Sequence, residues 1–388
     1  MFFVKEEILM KNLKYYASLI GLTTTLVLTQ QPVVFANNIK SEVINNVEEQ
    51  DDDLSKEIEE LNELCKNIKI VVKPNLLYSE YNDLFIKCID TNKKIEIDSK
   101  FYSKLNKLLT IKNNGEFKTP NLYLIGLDDE IDFNKIFLLG IKRISIYNSQ
   151  KDFNYSALSK EKYYGNDNQY ESIYLSMEND MITSNLNEWL KTQNFNDTYL
   201  YIEYLGDNAF SSNVEIINSL SCNESCIKTL NIANEIYSSE YLNNVTKINT
   251  ESLYLTGFFK LSNDSININL KLNKHTNYLN LTMVSDELNT TSRVIGDINI
   301  KSSCPDSSVA IYGAHNDLII DKNTKFKLQN FDGLNLLGVE VNSKLPFYKL
   351  TNLNSLSINS NYWYRYYDQK YYEFLYDLEI NEKKYTKQ

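Results

Sequence analysis

Short motifs in which one residue separates two apolar residues recur along the chain from residue 120, 16 to 30 residues apart. They are Leu122/Leu124, Ile144/Ile146, Ile173/Leu175, Leu200/Ile202, Leu230/Ile232, Leu253/Leu255, Leu279/Leu281, Ile298/Ile300, Leu318/Ile320, Leu334/Leu336 and Leu356/Ile358. Such alternation is typical of a strand with one buried face, because successive side chains of a strand point to opposite sides. The spacing suits one coil of a solenoid, which needs a strand, a turn and a return segment. The pattern predicts stacked coils that share one core.

Apolar residues with helical spacing predict helices in four other segments. These segments are 54–68, 101–109, 184–193 and 213–220. We expect Ser184 and Ser212 to cap the last two, because a serine hydroxyl accepts a hydrogen bond from the first turn of a helix. Between the first two helices, IKIVVK and KKIEID predict short strands. Helical return segments before residue 260 and strand-rich ones after it divide the predicted solenoid into two parts.

One segment, LTNLNSLSINSN, resembles the leucine-rich repeat consensus L-x-x-L-x-L-x-x-N at Leu353, Leu356, Ile358 and Asn361. Ile295, Ile298, Ile300 and Ser303 make a near match. The resemblance extends over residues 120–360. It implies an irregular right-handed α/β solenoid with a parallel β-sheet and a helical N-terminal cap, in which the apolar positions fill the interior. The strand-rich coils after residue 260 leave a parallel β-helix as the alternative, and the same alternation also occurs in antiparallel sheets.

An export signal is predicted at the N-terminus. Lys11 and Lys14 precede the apolar segment 17–28, and Val34-Phe35-Ala36 forms a small-x-small cleavage site. The apolar segment is short for a bilayer core of about 30 Å, although a retained N-terminal anchor is the alternative. We therefore predict a signal peptide over 1–36 and a mature bacterial protein that is secreted or loosely associated with the cell surface.

The remaining chain is divided by composition and pattern. We predict an acidic, disordered lead, an N-terminal cap region, the leucine-rich repeat-like solenoid and an aromatic C-terminal cap, over 37–60, 61–119, 120–360 and 361–388. A cap at each end is expected, because a solenoid otherwise leaves its core open at the last coil.

Charge and cysteine content exclude several classes of protein. The 388 residues include 40 Lys+Arg and 51 Asp+Glu, and the net charge of -11 argues against a nucleic-acid partner. Five cysteines in an exported chain leave at least one unpaired; Cys222 and Cys226 are placed to close a small loop or to lie one turn apart on a helix. With two histidines and no CxxC pair, we expect no metal site. The acidic segment GLDDEID fits a solvated turn better than a calcium loop, whose ligand spacing it lacks.

Catalytic motifs are not recognisable in the sequence, and we expect neither an enzyme nor a cofactor. His275 and His315 lie in turn-like segments, so a histidine-dependent nucleophile has little support. The one indication of an enzyme is that Asp297, Asp317 and Asp332 each precede a predicted strand by one or two residues. Carboxylates aligned on adjacent coils would suit a β-helix polysaccharide lyase or hydrolase, which is the alternative function.

The residues between the paired apolar positions form a candidate binding surface. They are Tyr123, Ser145, Tyr174, Tyr201, Asn231, Tyr254, Asn280, Asn299, Ile319, Asn335 and Ser357. In a leucine-rich solenoid such positions face solvent on the concave side. Tyrosine offers a rigid contact area with a polar tip, which suits a protein or glycan, although it also favours strands in general.

We therefore predict that Tyr123, Tyr174, Tyr201, Tyr254 and Asn231 bind an extracellular protein or glycan. We expect no nucleic-acid partner and no membrane span once the signal peptide is removed.

Overall fold

The computed structural model describes 52–74, 82–110, 112–113, 116–117, 121–138, 140–147, 152–159, 170–178, 183–205, 209–237, 239–259, 265–283, 293–313, 318–337, 339–341 and 355–359. The chain divides into two compact units, Met1–Lys56 and Glu57–Gln388. Apart from the start of the first helix, everything described below belongs to the second unit. The predicted signal peptide, the aromatic C-terminal segment 361–388 and the motif residue Asn361 lie outside the described residues.

Five α-helices and two short 3-10 helices occur in the described residues. The α-helices are α1 (Asp52–Glu63), α2 (Phe101–Thr110), α3 (Ser184–Thr192), α4 (Ala209–Ser221) and α5 (Ser239–Val245). The 3-10 helices are η1 (Phe133–Lys135) and η2 (Tyr155–Leu158). None of the helices in the described residues has the length and apolar character needed to cross a bilayer.

Strands dominate the structure. They are β1 (Cys65–Lys66), β2 (Ile68–Pro74), β3 (Asn82–Cys88), β4 (Glu96–Ile97), β5 (Lys112–Asn113), β6 (Glu116–Phe117), β7 (Asn121–Ile125), β8 (Arg143–Tyr147), β9 (Ser172–Glu178), β10 (Tyr199–Leu205), β11 (Ile227–Tyr237), β12 (Thr250–Phe259), β13 (Ser265–Lys271), β14 (Tyr278–Met283), β15 (Arg293–Lys301), β16 (Ser307–Gly313), β17 (Leu318–Gln329), β18 (Phe331–Leu337), β19 (Val339–Val341) and β20 (Ser355–Asn359).

The largest sheet has 12 strands in the order β2-β3-β7-β8-β9-β10-β11-β12-β14-β16-β18-β20. Strands β2 and β3 are antiparallel, and every later neighbour pair is parallel. The register places Leu200 between Ile173 and Leu230, so the apolar positions of consecutive strands meet directly. All three side chains are fully buried. The predicted parallel β-sheet is confirmed: the sheet is mostly parallel, and together with the few helices of the described residues it is compatible with a solenoid-like α/β fold.

A second sheet of four parallel strands has the order β13-β15-β17-β19. From β12 to β20 the chain therefore alternates between the two sheets. The motifs Ile298/Ile300 and Leu318/Ile320 belong to this second sheet, so placing them in one row with the other motifs was wrong. Period-two alternation identifies a strand with one buried face, but it does not identify the sheet to which that strand belongs.

Helices return the chain between the strands of the first part. Helix α3 buries Leu186, Trp189 and Leu190. Thr183 caps α3, because its hydroxyl accepts a hydrogen bond from the Leu186 backbone N–H at 3.3 Å. The predicted caps were therefore wrong: Ser184 is already helical, and Ser212 lies inside α4. Several hydroxyl residues stand near each helix start, so residue type alone does not select the cap.

The predicted helix over 54–68 ends earlier than expected, at Glu63. The backbone of Asn67 has a φ of 63°, a left-handed conformation that is incompatible with a continuing helix. The Asn67 amide nitrogen donates to the carbonyls of Asp90 at 2.7 Å and Lys93 at 2.6 Å, which holds this turn in place. At its other end the helix begins at Asp52, so the described part of the predicted disordered lead, 37–60, is helical. The predicted cap region 61–119 combines helix α2 with short strands.

Polar side chains connect the turns of neighbouring strands. The buried hydroxyl of Thr276 donates to the Thr250 carbonyl at 2.7 Å, and that of Ser302 donates to the Thr276 carbonyl at 3.3 Å. The buried Asn223 amide donates to the carbonyls of Leu190 and Gln193 at 2.8 and 2.9 Å, at the end of α3. Each contact satisfies a buried backbone carbonyl, which would otherwise lose its hydrogen bond to water.

Candidate binding face

The predicted binding residues lie side by side on one face of the 12-stranded sheet. Neighbouring strands bring Tyr174 opposite Tyr201, Tyr201 opposite Asn231, and Asn231 opposite Tyr254. Tyr123 belongs to the same row and is separated from Tyr174 by Ser145. Strand pairing thus brings together residues that are far apart in the sequence.

Two members of the predicted row were wrong. Asn299 pairs with Asn269, and Ile319 pairs with Val294, so both belong to the second sheet. The position between Asn280 and Asn335 is occupied by Ala310. At the other end, Phe85 precedes Tyr123 in the row. The row was predicted from the order of motifs along the chain, which is not the order of strands in the sheet.

Additional aromatic residues flank the row, because residues two positions apart on a strand share a face. Tyr199 and Tyr278 lie on one side of the row, and Tyr147 and Tyr312 lie on the other. We call the surface formed by these and the row aromatics the tyrosine face. It comprises Phe85, Tyr123, Tyr147, Tyr174, Tyr199, Tyr201, Tyr254, Tyr278 and Tyr312. The sequence prediction used only the central residue of each motif. Residues two positions before or after it lie on the same face of the strand, so the same alternation also predicts the flanking tyrosines.

Ring contacts order the tyrosine face. Phe85 and Tyr123 stack with centroids 4.5 Å apart and an interplanar angle of 12°. The ring centroids of Tyr147 and Tyr174 are 5.2 Å apart. This contact lies beside Ser145, whose small side chain leaves room for the two rings. Further along the sheet, Tyr254 and Tyr278 are 5.3 Å apart. Contacts of this kind restrict ring rotation, so that a partner meets surfaces that are already ordered.

The face is less exposed than the sequence predicted. Tyr123, Tyr174, Tyr201 and Tyr254 are half-buried, whereas Asn231 is only 8% exposed. The prediction that Asn231 faces solvent was therefore wrong. The reason is the size of the side chains beside it. The short asparagine lies opposite a larger tyrosine on each adjacent strand.

A buried carboxyl group lies among these rings. The Tyr174 hydroxyl donates a hydrogen bond to Oε2 of Glu203, on the next strand. Burial raises the pKa of Glu203, although its hydrogen bonds with Tyr174 and Ser176 act in the opposite direction. Burial and the nearby Glu203 charge raise the pKa of Tyr174, and burial raises that of Tyr147 to about 12. Both phenols therefore stay neutral at physiological pH and keep their protons as hydrogen-bond donors.

Compared with known protein families, curated proteins and solved structures, the chain matches none.

The carboxylates predicted to align on adjacent coils are not in one line. Asp297 lies on β15 in the second sheet, where it forms an ion pair with Lys325 at 3.8 Å. Asp332 lies on β18 in the 12-stranded sheet, and Asp317 is outside the described residues. The alternation of strands between two sheets separates residues that look equivalent in the sequence.

The other polar candidates form ordinary turns. His275 is exposed in the turn after β13, and His315 is outside the described residues. In the acidic segment, Oδ1 of Asp128 accepts a hydrogen bond from the Glu130 backbone N–H at 3.1 Å, and Glu130 pairs with Lys94 at 2.7 Å. No group of three or more His, Cys, Asp or Glu side chains suited to a metal ion occurs in the part of the chain that the structure describes.

All five cysteines are free thiols. Cys65 and Cys88 are buried, whereas Cys222 is exposed and Cys226 is partly exposed. Burial raises the pKa of Cys65 to about 11, so this thiol is poorly reactive at neutral pH.

Proposed function

We propose that the chain is a bacterial recognition protein that is secreted or held at the cell surface and binds an extracellular protein or glycan through the tyrosine face. The observation that carries this proposal is the gathering of eight tyrosines and Phe85 on one side of a sheet. The export signal predicted from the sequence of residues 1–36 supports an extracellular site of action.

The physical properties of the face support binding rather than a purely structural role. A half-buried tyrosine contributes apolar contact area and retains an exposed polar tip, and few rotatable bonds are lost when it binds. Because burial keeps the phenol of Tyr147 neutral, its hydroxyl can donate a hydrogen bond to a carbonyl or sugar hydroxyl, whereas the Tyr174 hydroxyl already donates its proton to Glu203 and offers a partner an acceptor oxygen. The row advances by one strand spacing, about 4.8 Å, per residue, which suits an extended partner.

An irregular, right-handed leucine-rich repeat-like solenoid is the architecture that we propose for this surface. The support is the series of parallel strands from β7 to β12, with α3, α4 and α5 as return segments between consecutive strands β9, β10, β11 and β12. From β12 onward, the return segments are strands of the second sheet, a feature that favours a β-helix for this part.

A tyrosine-to-serine series tests the proposed function. The variant Tyr123→Ser/Tyr174→Ser/Tyr201→Ser/Tyr254→Ser and the unchanged protein would be screened against a glycan array and surface extracts of bacterial and host cells. We expect the variant to lose the specific partner, because tyrosines often carry most of the binding energy at an interface. Circular dichroism and thermal melting would establish that the variant remains folded.

A matched control is Tyr102→Ser, since Tyr102 is also half-buried but lies on α2, away from the tyrosine face. Single variants such as Tyr254→Ser keep the test valid if the quadruple variant unfolds. The proposal would be refuted by a partner that binds all of these variants as tightly as the unchanged protein.

A carbohydrate-active enzyme on a β-helix is the second candidate, favoured by the alternation of strands between two sheets after β12. It would be tested by incubating the protein with pectin-like and other acidic polysaccharides and measuring new reducing ends and unsaturated products. Product formed in proportion to protein concentration, and lost on Asp332→Asn or Asp297→Asn, would replace the binding proposal.

A further inference from the structure

The outer side of the second sheet carries a group of exposed lysines. On β13, Ile268 and Leu270 are buried whereas Asn269 and Lys271 are exposed, so alternate residues face outward. Residues on the neighbouring strands that lie opposite these positions face outward as well. Lys301 is opposite Lys271, and Lys327 is opposite Asn299. We call the surface formed by Lys271, Lys301, Lys325 and Lys327 the lysine face.

Little negative charge balances the lysine face. Asp297 pairs with Lys325 at 3.8 Å. In the part of the chain that the structure describes, Lys271, Lys301 and Lys327 have no ion-pair partner. This positive group stands out in a chain with a net charge of -11.

The arrangement of these lysines is unfavourable for the sheet itself. Lys271 and Lys301 are direct cross-strand neighbours, and like charges in that position repel each other. Their Cα atoms are separated by about one strand spacing, 4.8 Å, and Lys327 lies about 8 Å diagonally from Lys301. A ligand with repeated negative charge would relieve the repulsion by contacting several ammonium groups at once.

Amide groups are interleaved with these charges. Asn269 and Asn299 are paired across the strands, and the Asn299 amide nitrogen donates to Oδ1 of Asn269 at 2.7 Å. Asparagine side chains both donate and accept hydrogen bonds, as sugar hydroxyls do. The outward positions identified on this sheet carry no aromatic ring on which a nucleic-acid base could stack, which favours a sugar polymer over a single-stranded nucleic acid.

We propose that the lysine face is a second binding surface, and that its ligand is an anionic polysaccharide bearing sulfate or carboxylate groups. The polymer lies across strands β13, β15 and β17, where Lys271, Lys301 and Lys327 contact its charges and the two asparagines contact its hydroxyls. This inference does not depend on the tyrosine face, because different residues of a different sheet carry it.

The test is binding of dextran sulfate and polygalacturonate to the full chain, with neutral dextran as the uncharged comparison. The variant Lys271→Gln/Lys301→Gln/Lys327→Gln should bind both polyanions at least about tenfold more weakly, and its affinity should fall less steeply between about 50 and 200 mM salt. The control Lys66→Gln/Lys191→Gln/Lys247→Gln makes the same change in net charge with exposed lysines that lie outside the second sheet. It should bind as the unchanged protein does.

Three results would overturn the inference. They are equal weakening in both triple variants, no binding of either polyanion by the unchanged protein, and binding of single-stranded DNA that is as tight as that of dextran sulfate. Melting temperatures would establish that the triple variant folds, and we expect no decrease because the substitution removes repulsion. Tyr254→Ser should bind dextran sulfate normally, so failure at one face remains distinguishable from failure at the other.

Discussion

Adjacent residues of β12 provide the most direct test of the strand register. Leu253 is 1% exposed and lies between Leu230 and Leu279, which are both fully buried. Leu253→Ala should therefore lower the free energy of unfolding by about 2–5 kcal/mol, through lost apolar burial and the cavity that remains. Tyr254 is half-buried and contacts Tyr278, so Tyr254→Ala should lower it by only about 1–2 kcal/mol.

Urea denaturation followed by circular dichroism would measure both differences, with Leu253→Ile as the conservative control that should cost less than about 1.5 kcal/mol. Binding and stability should separate in these variants: Tyr254→Ala loses the partner while it remains folded, and Leu253→Ala loses stability. If Tyr254→Ala cost as much as Leu253→Ala, the tyrosine would belong to the core. The reasoning that assigns this side of the sheet to recognition would then fail.

Three further variants test buried polar groups. Because burial raises the pKa of Glu203 above its ordinary value of 4.5, its ionisation opposes folding as the pH rises through the raised pKa. Glu203→Gln should therefore melt at a higher temperature than the unchanged protein at neutral pH but not below pH 4.5. A lower melting temperature of the variant at neutral pH would mean that the hydrogen bonds from Tyr174 and Ser176 outweigh the effect of burial. Thr276→Val should lower the free energy of unfolding by about 1–3 kcal/mol, since the Thr250 carbonyl loses its donor. Asn223→Ala should cost a similar amount in the same denaturation assay, and no loss in either would show that water replaces the side chain.

The strands could be predicted from the sequence because each has a buried face that alternates with a polar one. Leu200 and Ile202 illustrate this: both are buried, and the strand around them runs parallel to its neighbours. The same alternation did not show to which sheet Ile298 and Ile300 belong. Both are as fully buried as Leu200, but they lie on a strand of the second sheet. The pattern encodes burial, whereas sheet membership depends on where the intervening chain turns.

The candidate site was predictable in part for a related reason. Tyr174 and Tyr201 were found because the central residue of a motif must lie opposite the core. Asn231 was misjudged, since its burial depends on the size of residues on adjacent strands rather than on its own position. Glu203 gave no sequence signal at all, because a carboxylate that follows a strand motif usually indicates a solvated strand end. The register places Glu203 opposite Ser176, and only the side-chain positions in the structure show that its carboxylate meets the Tyr174 hydroxyl.

The order of strands in the large sheet has a consequence for cooperativity. From β8 to β11 each strand is bonded to the strand before it and the strand after it in the sequence, and from β12 onward each strand is bonded to the next strand but one. The stability of each strand therefore depends mainly on the strands beside it, as in a one-dimensional chain of coupled units. Weakening one coupling, for example between β11 and β12, should separate the melting of the strands on its two sides. We expect hydrogen exchange on such a variant to reveal two unfolding units in place of one.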